Sequence, residues 1–207
     1  MIQNEITLGF SGASGAVYGW RLLEALSKTP VRVSIVMSPA GAMVFKDEVD
    51  DKLPGSTNRM QKYFIDKLGV SSDKITVYGK DDWYSPLASG SGAPSQMVVC
   101  PCSVGCVSAI ALGASNNLME RAADVVLKER GKLILLVREM PLSAIHLQHM
   151  LTLSQMGAVI MPACPGFYFN PSSVDDLVDF VVARILDQLN IPHALLPKWG
   201  KTIVDAP

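Results

Sequence analysis

The residues best suited to chemistry are a loop rich in glycine and serine near the start of the chain. The loop reads Gly9-Phe10-Ser11-Gly12-Ala13-Ser14-Gly15. Glycine lets the backbone approach a ligand closely, and the hydroxyls of Ser11 and Ser14 can donate hydrogen bonds. Such a loop between a strand and a helix is typical of sites that bind phosphate through backbone N–H groups.

The spacing of this loop favours a mononucleotide over a dinucleotide. The dinucleotide fingerprint requires a glycine two residues after Gly9, where Ser11 stands. Residues 35–38 are uncharged, so no acidic side chain is available there to bind a ribose. We therefore expect the loop to bind a flavin mononucleotide in preference to a nicotinamide cofactor. A merely structural turn between strand and helix stays open as the alternative.

The elements that must position this loop are apolar strands that alternate with amphipathic helices. We predict strands at residues 2–10, 31–37, 75–78, 96–100, 132–137 and 158–161. We predict helices at residues 16–26, 38–48, 60–68, 118–129, 143–156 and 172–189, and a helix or loop at 103–113. The alternation indicates an α/β protein with a three-layer, Rossmann-like or flavodoxin-like fold and a mainly parallel sheet.

Polar groups follow the predicted strands where those strands end. The carboxyl ends of parallel strands meet at one edge of a sheet, which is where ligands bind. The segments expected there are Gly12 to Gly15, Ser38, Cys102-Ser103, Arg138-Glu139 and residues 165–170. Hydroxyls, backbone amides, one arginine and one glutamate would suit an anionic, planar ligand.

The composition limits the classes of protein to consider. The chain has 207 residues, of which 49% are hydrophobic and 18% are charged, so we expect one domain with additional surface buried between subunits. A net charge of −1 without basic blocks argues against nucleic acid as a partner. No run of about 20 consecutive apolar residues suggests a membrane span. With four cysteines and no signal-peptide pattern, a reducing cytoplasm is expected.

Three patterns resemble metal sites, and we expect none of them to bind metal. They are the acidic run Asp175-Asp176-Leu177-Val178-Asp179, the cysteines Cys100, Cys102 and Cys106, and the pair His146 and His149. The acidic run follows Ser172-Ser173 at a helix start, where carboxylates suit the positive end of the helix dipole. The cysteines lack paired spacing and the histidines lack a third ligand.

Longer stretches resemble the flavin prenyltransferase family, the UbiX-like enzymes. In chain order, the matching stretches are residues 12–19, 36–38, 88–91, 100–103, 121–130, 137–142, 157–162, 165–168 and 175–177. They extend over nearly the whole chain. The chain departs from the family at Val104-Gly105-Cys106, where relatives commonly carry a Lys-Thr-like pair, so contacts there are expected through the backbone.

The resemblance implies a homo-oligomeric flavoprotein, a dodecamer built from trimers, that binds reduced FMN and dimethylallyl phosphate without a metal. It implies transfer of the dimethylallyl group to N5 of the flavin and ring closure at C6. The product, prenylated FMN, would serve a UbiD-like decarboxylase of ubiquinone-type pathways. Residues 1–190 would form the FMN-binding prenyltransferase domain, and residues 191–207 a tail that packs at the site or on a neighbouring subunit.

The resemblance also assigns site residues by position. FMN would be held by Gly12, Ala13, Ser14, Ser38, Ser103, Val104, Gly105, Cys106 and Arg138. The prenyl phosphate would be held by Ser89, Gly90, Arg121, Lys128, Tyr168 and Arg184, with Trp199 beside a cationic prenyl group. The catalytic residues would be Ser14 and Glu48, which relay protons, and Glu139, which donates a proton to the departing phosphate.

The residues themselves leave simpler interpretations open. The basic residues Arg121 and Lys128 could form ordinary surface ion pairs, and Glu48 could be a solvated helix residue. Arg138 and Glu139 could form a structural pair, and Tyr168 and Trp199 could be packing aromatics. The alternative functions are an FMN-dependent decarboxylase of an aromatic or cysteinyl acid, and a flavin carrier. Because the polar residues lie on distant helices, we also predict a site shared between subunits.

Overall fold

A computed structural model describes residues 2–196 of the chain, with side chains from Asn4 onwards. Its centre is one sheet of six parallel strands in the order β3-β2-β1-β4-β5-β6. The strands are β1 (Ile2–Phe10), β2 (Arg32–Met37), β3 (Ile75–Tyr78), β4 (Pro94–Cys102), β5 (Lys132–Val137) and β6 (Val159–Pro162). The predicted three-layer α/β fold is confirmed, and all six strands are parallel.

Seven α-helices accompany the strands within the described residues. They are α1 (Ala16–Ser27), α2 (Pro39–Glu48), α3 (Thr57–Leu68), α4 (Val104–Ala111), α5 (Leu118–Lys128), α6 (Ala144–Gln155) and α7 (Val174–Leu189). The segment that the sequence left undecided between helix and loop is α4. None of these helices is long and apolar enough to cross a membrane.

Strand β4 continues past the proline at which the sequence predicted its end. Pro101 lacks an N–H group and cannot donate to a regular ladder. The pairing of β4 with β5 shifts register between Val99 and Cys102, so Pro101 lies where the ladder is irregular. That irregularity lets the strand include the proline, and it carries Cys102 to the end of the sheet.

The two faces of the sheet are covered differently. On one face, α4 and α5 pack over alternate residues of the central strands, such as Met97 and Val99 of β4 and Leu133 and Leu135 of β5. On the other face, α1 covers β1, β2 and β4. Four aromatic rings pack edge-to-face or stacked there, from β1, α1, α2 and α3: Phe10, Trp20, Phe45 and Phe64.

Strands β1 and β4 are neighbours in the sheet but not in the chain. The helix after β1 packs on one face and the helix after β4 packs on the other. In open parallel sheets this reversal leaves a crevice beyond the carboxyl ends of the two strands, and ligands bind in that crevice. The glycine loop follows β1 directly, so the fold places it at this position.

The chain forms two compact units, of which the first ends at Ala163 and the second begins at Cys164. The second unit contains α7, whose N-cap is Ser173. The carboxylate of Asp176 accepts hydrogen bonds from the backbone N–H groups of Ser172 and Ser173, at 2.7 and 3.0 Å. The acidic run therefore serves the helix start, as the sequence indicated. The predicted division at residue 190 stays a prediction.

Candidate functional site

The glycine loop requires glycine at two positions for different reasons. A Cβ atom on Gly12 would lie 2.5 Å from the Cβ of Ala40, because the start of α2 packs directly on the loop. Gly15 has a φ of +108°, in the left-handed region, and is the N-cap of α1. The loop is therefore fixed both by its contact with α2 and by its own backbone conformation.

Ser11 joins the ends of the two strands that flank the crevice. Its buried hydroxyl donates to the carbonyl of Pro101 at 2.9 Å and accepts from the N–H of Ser103 at 2.7 Å. Since this hydroxyl already donates within the protein, the prediction that Ser11 offers a donor to phosphate is wrong. Ser14 is exposed, and the contact of its hydroxyl with a ligand stays a prediction.

Glu48 reaches the glycine loop from the last residue of α2. Its Oε2 atom accepts hydrogen bonds from the backbone N–H groups of Gly15 and Ala16, both at 2.8 Å. These are amide groups at the start of α1, which the sequence predicted to face a phosphate. The α1 N-terminus is occupied by a carboxylate of the protein itself, so that part of the prediction is wrong. Glu48 is not simply a solvated helix residue.

Two other helices begin at the same edge of the sheet. The Ser38 hydroxyl caps α2 by accepting from Gly41 N–H at 2.9 Å, and the Ser103 hydroxyl caps α4 by accepting from Cys106 N–H at 3.3 Å. The N–H groups of Val104 and Gly105, the first residues of α4, have no acceptor within residues 2–196. Unpaired amides at a helix start favour an anion.

A cavity of about 540 Å³ opens between the glycine loop and the end of β5. Its polar lining comes from Ser14, Glu48 and Arg138, and its remaining lining from Gly15, Val17, Tyr18 and Ala163. The Nε atom of Arg138 donates to the carbonyl of Ser14 at 3.2 Å. The volume falls in the range typical of small-molecule sites, roughly 300–1,000 Å³. The sequence did not single out Tyr18, although it lies within the stretch that matches the family.

Arg138 and Glu139 both follow β5 at this edge, but they do not form the structural pair that the sequence left open. No ion pair links them among the described residues. The carboxylate of Glu139 accepts from the N–H of Met140 at 3.1 Å. Arg138 extends instead toward the glycine loop, so the two side chains present opposite charges to different neighbours.

A second group of predicted residues lies at the opposite edge of the sheet. Gly90 precedes β4 and Lys128 precedes β5, so both lie near the amino ends of those strands. A Cβ atom on Gly90 would lie 2.1 Å from Oε1 of Glu129, and Lys128 forms an ion pair with the same carboxylate. Nine residues of β4 separate the edges, roughly 26 Å at the usual rise per residue.

The remaining members of this second group lie in the first turn of α5 and in the segment before β4. The Nε atom of Arg121 donates to the carbonyl of Ala88 at 3.0 Å, and its Nη1 pairs with Asp124 at 2.7 Å. The hydroxyls of Ser89 and Ser91 lie 3.2 Å apart. Lys128 lowers the pKa of Glu129 through their hydrogen bond. Both basic residues thus form ion pairs within this chain, Lys128 with Glu129 and Arg121 with Asp124.

Three assigned residues lie beyond the first unit. In the second unit, the ring of Tyr168 packs edge-to-face on Phe169 and on Phe180, and Arg184 forms an ion pair with Asp187. Tyr168 is 62% exposed, so packing covers less than half of its surface. Trp199 lies outside the described residues.

The candidate metal patterns have other partners in the structure. Within residues 2–196, no group of three or more His, Cys, Asp or Glu side chains is arranged to hold a metal ion. The hydrogen bond of the Cys102 thiol to Cys106, together with burial, raises the pKa of Cys102, and burial raises that of Cys100. His146 completes a capping box with Ser143 at the start of α6, and His149 contacts the Ser108 hydroxyl at 2.9 Å.

Comparison with known proteins gives consistent matches. The sequence profile of the Flavoprotein family matches residues 2–186. Flavin prenyltransferase UbiX of Pseudomonas aeruginosa is 54% identical over 196 residues, which are 95% of this chain and 94% of that protein. A solved structure of AnUbiX in complex with FMN and dimethylallyl pyrophosphate is 34% identical with a TM-score of 0.83, and the match covers 96% of this chain and 98% of that one.

A second solved structure resembles this chain to a similar degree. It is a dodecameric FMN-dependent Ubix-like decarboxylase from Escherichia coli O157:H7, 39% identical, with a TM-score of 0.82. The match covers 94% of this chain and 98% of that chain. The likeness therefore spans the whole sheet, including the crevice between β1 and β4.

Proposed function

The chain belongs to the Flavoprotein family, and from this premise we propose that it is a flavin prenyltransferase. It transfers the dimethylallyl group of dimethylallyl phosphate to N5 and C6 of reduced FMN. The name of the Pseudomonas aeruginosa relative and the ligands of AnUbiX support this activity. The observation that carries the proposal in this chain is the cavity between the glycine loop and Arg138, whose size falls in the range of small-molecule sites.

FMN is held at the carboxyl edge of the sheet, and the reduced flavin supplies the nucleophilic atoms of the reaction. The free N–H groups of Val104 and Gly105 at the start of α4 bind its phosphate, next to the Ser38 and Ser103 caps. The remaining assigned residues shape the cavity or contact the flavin: Gly12, Ala13, Ser14, Cys106 and Arg138. The Cys106 N–H donates to Ser103, so its contact with a ligand uses another atom.

The prenyl phosphate is bound with the help of a second copy of the chain. Ser89, Gly90 and Lys128 lie near the amino edge of the sheet, whereas Arg138 and Glu139 lie at the carboxyl edge of the same chain. One substrate reaches both sets when one copy contributes Lys128 and another contributes Arg138. We propose a homo-oligomer for this reason, a dodecamer of trimers, and the dodecameric Escherichia coli neighbour supports it.

The charged residues act on the bond that breaks between the prenyl carbon and the phosphate. Arg121, Lys128 and Arg184 offer positive charge where negative charge develops on the leaving phosphate. Glu139 donates a proton to that phosphate, and Ser14 and Glu48 move the protons released from N5 and C6. Tyr168 orients the phosphate.

Mass spectrometry of the flavin tests this activity directly. The protein is incubated without oxygen with reduced FMN and either dimethylallyl phosphate or dimethylallyl pyrophosphate. The flavin should gain one five-carbon prenyl unit, and the two arms compare the leaving groups. Release of carbon dioxide from an aromatic or cysteinyl acid, with an unchanged flavin mass, would favour the alternative decarboxylase. FMN that binds and stays unchanged with every substrate would favour a carrier.

The product, prenylated FMN, is proposed to pass to a UbiD-like decarboxylase in the cytoplasm. The relative's name is consistent with ubiquinone-type biosynthesis. Purified product added to a flavin-free decarboxylase of that type should restore its activity. Unmodified FMN serves as the control.

A further inference from the structure

Glu48 makes a contact that its assignment as a proton carrier does not explain. One oxygen, Oε2, accepts from two consecutive backbone N–H groups, those of Gly15 and Ala16, at 2.8 Å each. The first N–H groups of a helix have no acceptor inside that helix. A carboxylate at this position satisfies them and is favoured by the positive end of the helix dipole.

The helix that Glu48 caps has no cap of its own. Gly15 occupies the N-cap position of α1 and has no side chain to accept a hydrogen bond. The neighbouring helices α2 and α4 are capped by their own serines, Ser38 and Ser103. Glycine is needed at residue 15 for its positive φ, so the acceptor must come from elsewhere in the chain. It comes from a residue 33 positions away.

The segment that carries Glu48 is itself anchored to α3. The carboxylate of Asp50 accepts from the hydroxyl of Tyr63 and from the ammonium of Lys67, each at 2.8 Å. It also accepts from the N–H of Lys52 at 2.9 Å. These three hydrogen-bond donors thus fix the chain immediately after α2, and they help to hold Glu48 next to the glycine loop.

We propose that Glu48 is a positioning residue that sets the conformation of the glycine loop, and with it the place of Ser14 in the flavin site. The proposal rests on the proposed function for the identity of the ligand. It also limits proton transfer by Glu48. Because Oε2 accepts two N–H groups, a proton carried by this residue resides on Oε1.

Two substitutions distinguish the hydrogen-bond acceptor of Glu48 from its negative charge. Glu48→Gln retains one oxygen that can accept both N–H groups, and Glu48→Ala removes it. Hydrogen exchange of the Gly15 and Ala16 amides is measured first, in the full-length protein without ligand. Exchange should accelerate on the order of tenfold in Glu48→Ala and stay near the wild-type rate in Glu48→Gln.

The affinity for FMN is measured next, by quenching of flavin fluorescence without a second substrate. Glu48→Ala should weaken FMN binding on the order of tenfold, and Glu48→Gln should bind FMN as wild type does. Sodium acetate should restore amide protection and FMN affinity to Glu48→Ala, because a free carboxylate can occupy the vacated position.

The outcomes distinguish positioning from proton transfer alone. Normal amide protection and normal FMN affinity in Glu48→Ala, together with lost turnover in both variants, would overturn the proposal. Equal loss of protection in Glu48→Gln and Glu48→Ala would overturn it too, since the acceptor is retained in one of them. Exchange and FMN affinity need no prenyl transfer, so a failure of the proposed function appears separately, as a wild-type protein that binds FMN without converting it.

Discussion

The two edges of the sheet carry residues assigned to one reaction, yet they are built differently. At the carboxyl edge, hydrogen bonds connect distant parts of the chain: Ser11 to Ser103, Glu48 to Gly15, and Arg138 to Ser14. At the amino edge, Lys128 pairs with its sequence neighbour Glu129, and both side chains are more than one third exposed.

This difference indicates two kinds of binding surface. Hydrogen bonds between loops that are distant in the chain hold the carboxyl edge in one arrangement before any ligand arrives, which suits a rigid, planar flavin. Exposed ion pairs contribute little to stability and exchange partners readily. In the proposed shared site, the Lys128 side chain can therefore leave Glu129 for the phosphate of the substrate.

The largest expected effect comes from mixing two inactive variants, which tests whether the two edges act together in a site shared between copies of the chain. Arg138→Ala and Lys128→Ala should each lower kcat by about 100-fold or more, because each removes a positive charge from the anionic groups at the site. Refolding the two variants together should restore part of the activity, since some sites then combine Lys128 of one copy with Arg138 of another. Prenylated FMN formation measures it.

Each variant refolded with itself is the control for that mixture. If the mixture stays as inactive as its components, then each active site uses both residues from a single chain. That result would contradict the shared site and would require the two edges to meet within one copy.

The carboxyl edge should depend on its buried serine for stability. Ser11→Ala leaves the N–H of Ser103 without a partner, while the Pro101 carbonyl still accepts from the backbone N–H of residue 11 at 3.2 Å, so we expect a loss of about 1–3 kcal/mol in the free energy of unfolding. Urea denaturation followed by circular dichroism measures it. Ser14→Ala is the matched control, because Ser14 is exposed and its loss should change stability by less than about 0.5 kcal/mol. Equal stability of the two variants would show that the Ser11 bridge contributes nothing.

Glycine-to-alanine substitutions should distinguish the two edges. In Gly12→Ala the new methyl group meets Ala40 at the start of α2, which cannot move independently, so we expect destabilisation by about 1–3 kcal/mol. In Gly90→Ala it meets the end of the Glu129 side chain, which can rotate away, so the melting temperature should change less. Gly55→Ala, with no atom within 4 Å of the new methyl group, is the control. A larger effect at Gly90 than at Gly12 would reverse the comparison.

The smallest expected effect on stability concerns Asp50, which anchors the segment after Glu48 to α3. The Lys67 ammonium, the Lys52 N–H and the Tyr63 hydroxyl hold the pKa of the Asp50 carboxyl well below its usual range. The usual unfolded value is about 3.9, so this stabilisation is present above about pH 4 and is lost as the pH falls through the folded-state pKa. Asp50→Asn should therefore be less stable than wild type at neutral pH and approach it in acid.

Urea midpoints across the acidic range measure that difference. Asp51→Asn, which alters an exposed neighbouring carboxylate, should follow the wild-type pH profile. A gap between wild type and Asp50→Asn that stays constant down to the lowest pH would mean that the ion pair is not its cause.

Local patterns were sufficient to predict most of the fold. The unbroken apolar run predicted both ends of β5 correctly, because a parallel strand buried on both faces needs apolar residues along its length. The end of β4 was placed too early, since Pro101 reads as a strand breaker and the register shift that accommodates it arises from pairing with β5. The start of α3 was likewise placed three residues late.

The sequence predicted where the site lies in the fold, but it predicted fewer of the hydrogen bonds within the site. The strand–loop–helix order placed the glycine loop and Arg138 at the carboxyl edge. The family resemblance grouped Lys128 with them by role and could not indicate the edge on which it lies. The partners of Glu48 and Ser11 are 33 and 90 residues away, and no local pattern encodes such a contact.

The sequence by itself determined the parallel α/β fold, the position of the glycine loop and the resemblance to flavin prenyltransferases, because each depends on residue types at short spacing. The tertiary structure alone decided which backbone amides stay free to bind a ligand. A carboxylate from α2 fills the start of α1, and the start of α4 stays open. The physical reason is that a hydrogen-bond donor is available only when no folded neighbour already accepts from it.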